Sequence, residues 1–350
     1  MKLDIVTNSE FGLVQRWVQK DDGKHGLGGC YRPYIQKPAN GGSRYFNSLA
    51  VSPNGKYFCT MHDEKSMLWD ISVKLKTTFK EYGCARAIAI SNYHVAIASL
   101  AGLVFLFDYN GKLVRKLKTT CSIITSISFS PDDCQLASSG TGGTVLVWKI
   151  ADGTHRTIFR YKEWIMARAV AWSPSGKHIA IISGEDDSHV LEVKTCCVMF
   201  DLPKANVVVY SPTEKIIVAT DNNIQVMEAA NGKLEHIIEK TRVRVMAISP
   251  DGKFLAFTRD SDVSVWNIES GVYSHVQDSV IHISGISFIA DRQAIIEQQN
   301  VMFAVAIVMD QRQLPDDLFI PPEIWSQCFD YITWHSWTRT PAEYNRSNIV

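Results

Sequence analysis

The chain has no excess of charge of either sign: 36 Lys and Arg stand against 36 Asp and Glu in 350 residues. A nucleic-acid-binding domain usually carries a basic excess, so nothing global points to that partner. No segment approaches the roughly 18 uninterrupted apolar residues of a membrane-spanning helix, and the start, MKLDIVTNSEFG, has no apolar signal region. A cytoplasmic protein is expected, with the nucleus as the alternative. The eight cysteines are scattered, with no C-x-x-C and no Cys/His group at zinc spacing. They are expected to be reduced and mostly buried, packing as small hydrophobes. The ten histidines form no H-E-x-x-H pair, and no G-x-S-x-G elbow is present. Neither a metal nor a cofactor is expected, nor a small-molecule substrate.

What the chain does have is a repeat. Val51-Ser52-Pro53-Asn54-Gly55, Phe129-Ser130-Pro131-Asp132-Asp133, Trp172-Ser173-Pro174-Ser175-Gly176, Tyr210-Ser211-Pro212 and Ile248-Ser249-Pro250-Asp251-Gly252 are copies of one motif, with weaker copies at Ile90-Ser91-Asn92 and Phe288-Ile289-Ala290-Asp291. The proline column falls at 53, 92, 131, 174, 212, 250 and 290, so the copies lie 38 to 43 residues apart. A period near 40 over most of the chain means a repeat architecture.

Four residues before each anchor stand Leu49, Ile88, Ile127, Val170, Val208, Met246 and Ile286, and mostly small residues such as Ala50, Ala89 and Ala171 follow them. Large and small side chains alternating at period 2 predict a strand. The small column suggests a place where neighbouring sheets crowd together. The Ser-Pro-Asp-Gly that follows is turn chemistry. A second strand comes next, then a third that often ends in an aromatic (Trp69, Phe107, Trp148, Trp266), then a tight turn such as Asn110-Gly111 or Asp152-Gly153 leading into a fourth. The run Gly140-Thr141-Gly142-Gly143 lies between two strands. A dinucleotide cradle needs G-x-G-x-x-G opening a helix, so this run is read as a hairpin turn.

Four-stranded units repeating at this period can arrange themselves radially as a β-propeller. FSPDDCQLASSGTGGTVLVWKI, SPNGKYFCTMHDEKSMLWDI and SPDGKFLAFTRDSDVSVWNI resemble WD40 repeats, and the resemblance extends over roughly residues 1–310. It departs from the family pattern in lacking the opening Gly-His, and the aromatic column holds Val193 and Met227 in the fourth and fifth repeats. The family's Asp-His-Ser-Trp hydrogen-bond network is therefore not expected intact, and apolar packing is expected to carry blade stability.

The predicted fold is all-β: a seven-bladed β-propeller of four-stranded antiparallel blades over 1–310, with eight blades as the alternative and an N-terminal strand closing the ring. Residues 311–350 form a tail with a helix predicted at 321–333, where Ile324, Cys328, Phe329 and Ile332 share one face. Its opening, PPEIWSQCFDYI, resembles the start of an F-box, an adaptor-binding motif of ubiquitin ligases; a helix packed on the propeller is the competing reading.

Six residues before each anchor stand Asn47, Arg86, Thr125, Arg168, Asn206, Arg244 and Ser284, all polar and none a carboxylate. These positions open the innermost strands, so they are predicted to ring one mouth of the central channel, with Arg242 close by. Arginine grips carboxylate or phosphate through paired hydrogen bonds, and Tyr45, Tyr82, Tyr161 and Trp164 near the same face supply aromatic anchors. The expected function is non-catalytic: a scaffold in a multiprotein complex that binds an acidic or phosphorylated segment of another protein or peptide. A ubiquitin-ligase substrate receptor is the alternative. A propeller hydrolase is disfavoured by the lack of acids in the column. The cluster Glu185-Asp186-Asp187 is read as a solvated hairpin tip.

Overall fold

The computed structural model describes residues 49–277, apart from short connecting segments such as 81–84, 162–164 and 240–242. Beyond these it describes the strands Asp4–Asn8, Val14–Gln19, His25–Tyr31, His282–Ala290 and Phe303–Asp310, whose backbone alone is considered. The predicted helix at 321–333, and with it the F-box-like stretch, lies outside the described residues.

Six sheets are four-stranded and antiparallel, and in each the four strands are consecutive in sequence. The third is representative: Ile124–Phe129, Gln135–Gly140, Thr144–Lys149 and His155–Arg160. The innermost strands of the six are Leu49–Val51, Ala85–Ile90, Ile124–Phe129, Ala167–Trp172, Val207–Ser211 and Val243–Ile248. Each packs against the next, and His282–Ala290 packs against both the last and the first. The inner strands therefore form a closed circuit, as in a β-propeller.

The expectation of seven four-stranded blades needs correction: six blades have that form. The remaining sheet is five-stranded and mixed, in the order His282–Ala290, Phe303–Asp310, Asp4–Asn8, Val14–Gln19, His25–Tyr31. Asp4–Asn8 runs parallel to Phe303–Asp310. The two chain ends together offer one strand more than a blade needs, and pairing it satisfies backbone groups that an open edge would leave bare. The N-terminal strands thus join the closing sheet and do not build an eighth blade.

The core lies between blades, in layers. One cluster joins Cys59, Met61, Leu68 and Phe79 of the first blade to Ile88, Ile97 and Phe105 of the second. The next joins Ala89, Ala98 and Leu106 of the second to Ile127, Leu146 and Trp148 of the third. Three similar layers follow around the ring. This explains the alternation in the sequence. In each inner strand the large residue (Ile88, Ile127, Val170, Val208, Met246) faces the preceding blade. Its small neighbour, Ala89 in the second blade and Ala171 in the fourth, faces the following one.

The Gly140–Gly143 run is a hairpin turn, as its setting between two strands implied. Gly143 has φ +67°, and a Cβ there would stand 2.7 Å from the Ile165 carbonyl oxygen and 2.8 Å from Tyr161 Cβ. Glycine is required at this position by both conformation and space. The cysteines depart from expectation: of the four whose environment is described, Cys59 is buried, Cys196 half-buried, and Cys134 and Cys197 exposed.

Candidate functional site

The polar column coincides with a β-bulge repeated around the ring. Ala85 pairs with Ser99 and Ala87 with Ala98, so the register shifts at Arg86, the extra residue of the bulge. Thr125 is the extra residue between Ile124 and Ser126, and Arg168 between Ala167 and Ala169. In the sixth blade the bulge spans Arg244, between Val243 and Met246. In the closing sheet it spans Ser284, between Ile283 and Ile286. A bulge bends the strand and re-aims the side chain of its extra residue. The fifth blade departs from the rule, with Asn206 standing just before a regular strand.

These positions lie at one end of the ring. Each opens its inner strand, opposite the last residues of the second strand. The end is also stitched across blades: the Thr125 hydroxyl donates to the Ala167 carbonyl, and the Val170 N–H donates to Ser126 Oγ at 3.3 Å. The Arg168 side chain is exposed and Arg86 is half-buried. Burial pulls the Arg86 guanidinium below its ordinary pKa without threatening its charge. Asn206 Nδ2 donates to Asp221 Oδ1 at 2.8 Å, placing an exposed carboxylate at this end of the fifth blade.

Other predicted residues fare differently. Tyr161 is 5% exposed and belongs to the core layer between the third and fourth blades, so it is packing rather than docking surface. Its ring meets Phe159 edge-on at 4.9 Å and stacks on His189 at 6.2 Å. Burial pushes its hydroxyl pKa well above the usual tyrosine value. For Arg244 and Ser284 the backbone alone is described, while Asn47, Arg242, Tyr45, Tyr82 and Trp164 lie outside the described residues. Among the described residues no group of three or more His, Cys, Asp or Glu is placed to hold a metal ion.

One group escaped the sequence reading. His189 lies between two carboxylates, with Nε2 2.7 Å from Asp187 Oδ1 and Nδ1 2.8 Å from Asp201 Oδ1. Asp187, 42% exposed between two paired strands, is solvated as expected and also contacts the His189 ring. The available signal was the register: His189 pairs directly with Asp201 across the outer strands.

Comparison with known proteins agrees with this architecture. The pattern of the Vps8 β-propeller family matches residues 65–208, and that of the WD domain, G-beta repeat, matches residues 232–267. The chain has the fold of a β-propeller and is similar to WD40 repeats over part of its length. WD repeat and HMG-box DNA-binding protein 1 of Xenopus laevis is 32% identical over 30% of this chain and 10% of its own length. Cilia- and flagella-associated protein 57 of Mus musculus is 24% identical over 47% and 13%. Transcriptional corepressor LEUNIG_HOMOLOG of Arabidopsis thaliana is 23% identical over 66% and 31%. The chain thus spans about a tenth to a third of the length of these relatives. Among solved structures, the β-propeller domain of Cps50 (Swd1) from Myceliophteria thermophila superposes with a TM-score of 0.61 at 13% identity, covering 71% of this chain and 93% of that one.

Part of the WD40 hydrogen-bond network persists. Trp69 Nε1 donates to Thr60 Oγ1 at 2.8 Å and Trp148 Nε1 to Ser138 Oγ at 2.9 Å, both buried. In each blade the hydroxyl lies two residues beyond the residue paired with the Trp. In the sixth blade that position is Phe257. Apolar packing is therefore assisted by this bond in the first and third blades.

Proposed function

We propose that this WD40-type propeller is a non-catalytic scaffold that docks an acidic or phosphorylated segment of a partner protein on the mouth formed by the starts of its inner strands. The carrying observation is the recurring bulge: it falls at Arg86, Arg168 and the Arg244 position, at one end of the ring. Guanidinium groups held there suit carboxylate or phosphate, which they bind in bidentate fashion. Over the second and third blades the mouth favours access. The turns between second and third strands in the second and third blades, Leu100–Gly102 and Thr141–Gly143, carry no charge. A Cβ added at Gly142 would meet nothing within 4 Å, so the surface there is low. A WD40 scaffold working in a multiprotein complex fits the cytoplasm or the nucleus.

The test is an array of acidic and phosphoserine peptides probed with the purified chain. Wild type is expected to select acidic or phosphorylated sequences, and the Arg86→Ala/Arg168→Ala/Arg244→Ala variant to lose at least about tenfold in affinity while its thermal transition persists. Selection that survives the triple change would remove the mouth as the site.

A further inference from the structure

The Asp187–His189–Asp201 group lies on the outer part of the fourth blade, with Asp187 in a turn at the same end as Arg168. Ala167 pairs with Ser183, the last residue of the second strand in the fourth blade, so the turn ending in Asp187 begins opposite Ala167, the residue before Arg168. Ser183 Oγ fixes the start of this turn, donating to the Glu185 carbonyl at 2.8 Å and accepting from its N–H at 3.1 Å. Asp187 closes the turn and reaches His189.

The chemistry of the contact depends on protonation. Both carboxylates are acceptors, so both contacts are hydrogen bonds only when both ring nitrogens carry protons. The clamp then holds an imidazolium between two carboxylates, a net charge of about −1. Loss of the ring proton to solvent leaves one N–H, frees one of the two carboxylates from its hydrogen bond, and takes the net charge to about −2 whichever bond survives. The ring has few other neighbours that could compensate. The third blade presents Phe159 at 5.2 Å and Tyr161 at 6.2 Å, neither charged near neutral pH. On its own blade the pairing residues are Ile181 and Asp201. The His189 side chain is 13% exposed, while Asp187 is 42% and Asp201 80% exposed, so a freed carboxylate can be hydrated where it stands.

We propose that the Asp187–His189–Asp201 clamp is a proton-controlled charge switch that weakens anion docking at the mouth as pH rises. The proposal rests on the anion-docking reading above for its effect on binding, although the clamp itself does not.

Two measurements test it. In the first, a rhodamine-labelled hexaglutamate peptide, whose carboxylates stay ionised over the range, is titrated by fluorescence anisotropy from pH 6 to 8.5. Wild type is expected to lose affinity by up to about twofold as pH rises, as one added negative charge two strands, roughly 10 Å, from the strand of Arg168 would produce in water, and His189→Gln to lose this dependence. Equal pH dependence in the two proteins overturns the switch. In the second, ring-nitrogen NMR of His189 follows the wild-type protein without ligand. Two N–H signals are expected at the acid end, collapsing to one as pH rises, with the Asp187 or Asp201 carboxylate resonance moving in step. A ring that is neutral throughout, or carboxylates indifferent to it, overturns the clamp. If the peptide binds at no pH while the NMR transition is seen, the docking reading fails and the clamp stands.

Discussion

The most repeated residue in the chain's motif acts through its hydroxyl. Ser52, Ser91, Ser130, Ser173, Ser211 and Ser249 are each at most 2% exposed, though they sit at turns. Ser130 Oγ accepts from the Gln135 N–H at 2.8 Å and donates to Asp132 Oδ1 at 2.5 Å. Ser249 does the same with Phe254 and Asp251. The sequence reading took Ser-Pro-Asp-Gly as turn chemistry, which is local; the serine's bond to a strand five residues on was not visible. Ser130→Ala removes the acceptor of the partly buried Gln135 N–H and should cost about 1–2 kcal/mol in chemical denaturation, whereas Thr154→Ala, on an exposed turn, should stay within about 0.5 kcal/mol. The same turn has a pH signature. The Ser130 hydroxyl, then the Cys134 N–H, hold the Asp132 carboxyl below the usual carboxylate pKa. A lowered folded-state pKa stabilises at neutral pH, and the contribution is lost as pH falls through that lowered value. Asp132→Ala should therefore flatten the acid limb of a stability–pH profile and leave its alkaline side unchanged.

At the scale of strands and blades, alternation and turn chemistry were legible because both are short-range: the Ile88/Ala89 pattern and the Asn110-Gly111 turn emerge as read. The bulges were not, because a bulge is a mismatch of register with another strand, and period-2 spacing runs through Arg86 and Ile88 undisturbed. Contacts between blades were equally hidden. Arg115 on the outer strand of the second blade donates to the Ile150, Ala151 and Asp152 carbonyls of the third, at 3.1, 2.7 and 3.2 Å. Arg156 repeats this one blade on, donating to the Val193 carbonyl at 2.5 Å. Between the fourth and fifth blades the pairing is steric: a Cβ on Gly232, at φ +74°, would stand 2.6 Å from the Phe200 ring. Arg115→Ala should lower stability by about 1–3 kcal/mol. Gly232→Ala should destabilise more than in a Phe200→Leu background, because only the steric part of its cost is relieved there. A thermodynamic cycle on the four proteins measures that coupling.

For the whole molecule, the propeller was legible from its period and its closure by an N-terminal strand from the spare strands at the start, but the make-up of the closing sheet was not. Seven repeat copies suggested seven equal blades; the count could not say how five strands from two chain ends would share one sheet. The site was legible as a column and incomplete as a surface. Arg86, Thr125 and Arg168 lie at one end of the ring, Tyr161 belongs to the core, and the His189 clamp emerges only from pairing between outer strands. This end is the proposed docking face, and hydrogen exchange by mass spectrometry, with and without a peptide selected on the array, tests it most directly. Protection is expected in peptides spanning the starts of the inner strands at residues 85–87, 124–126 and 167–169, with the outer strands Leu113–Lys118 and His155–Arg160 unchanged. Protection confined to those outer strands would contradict it.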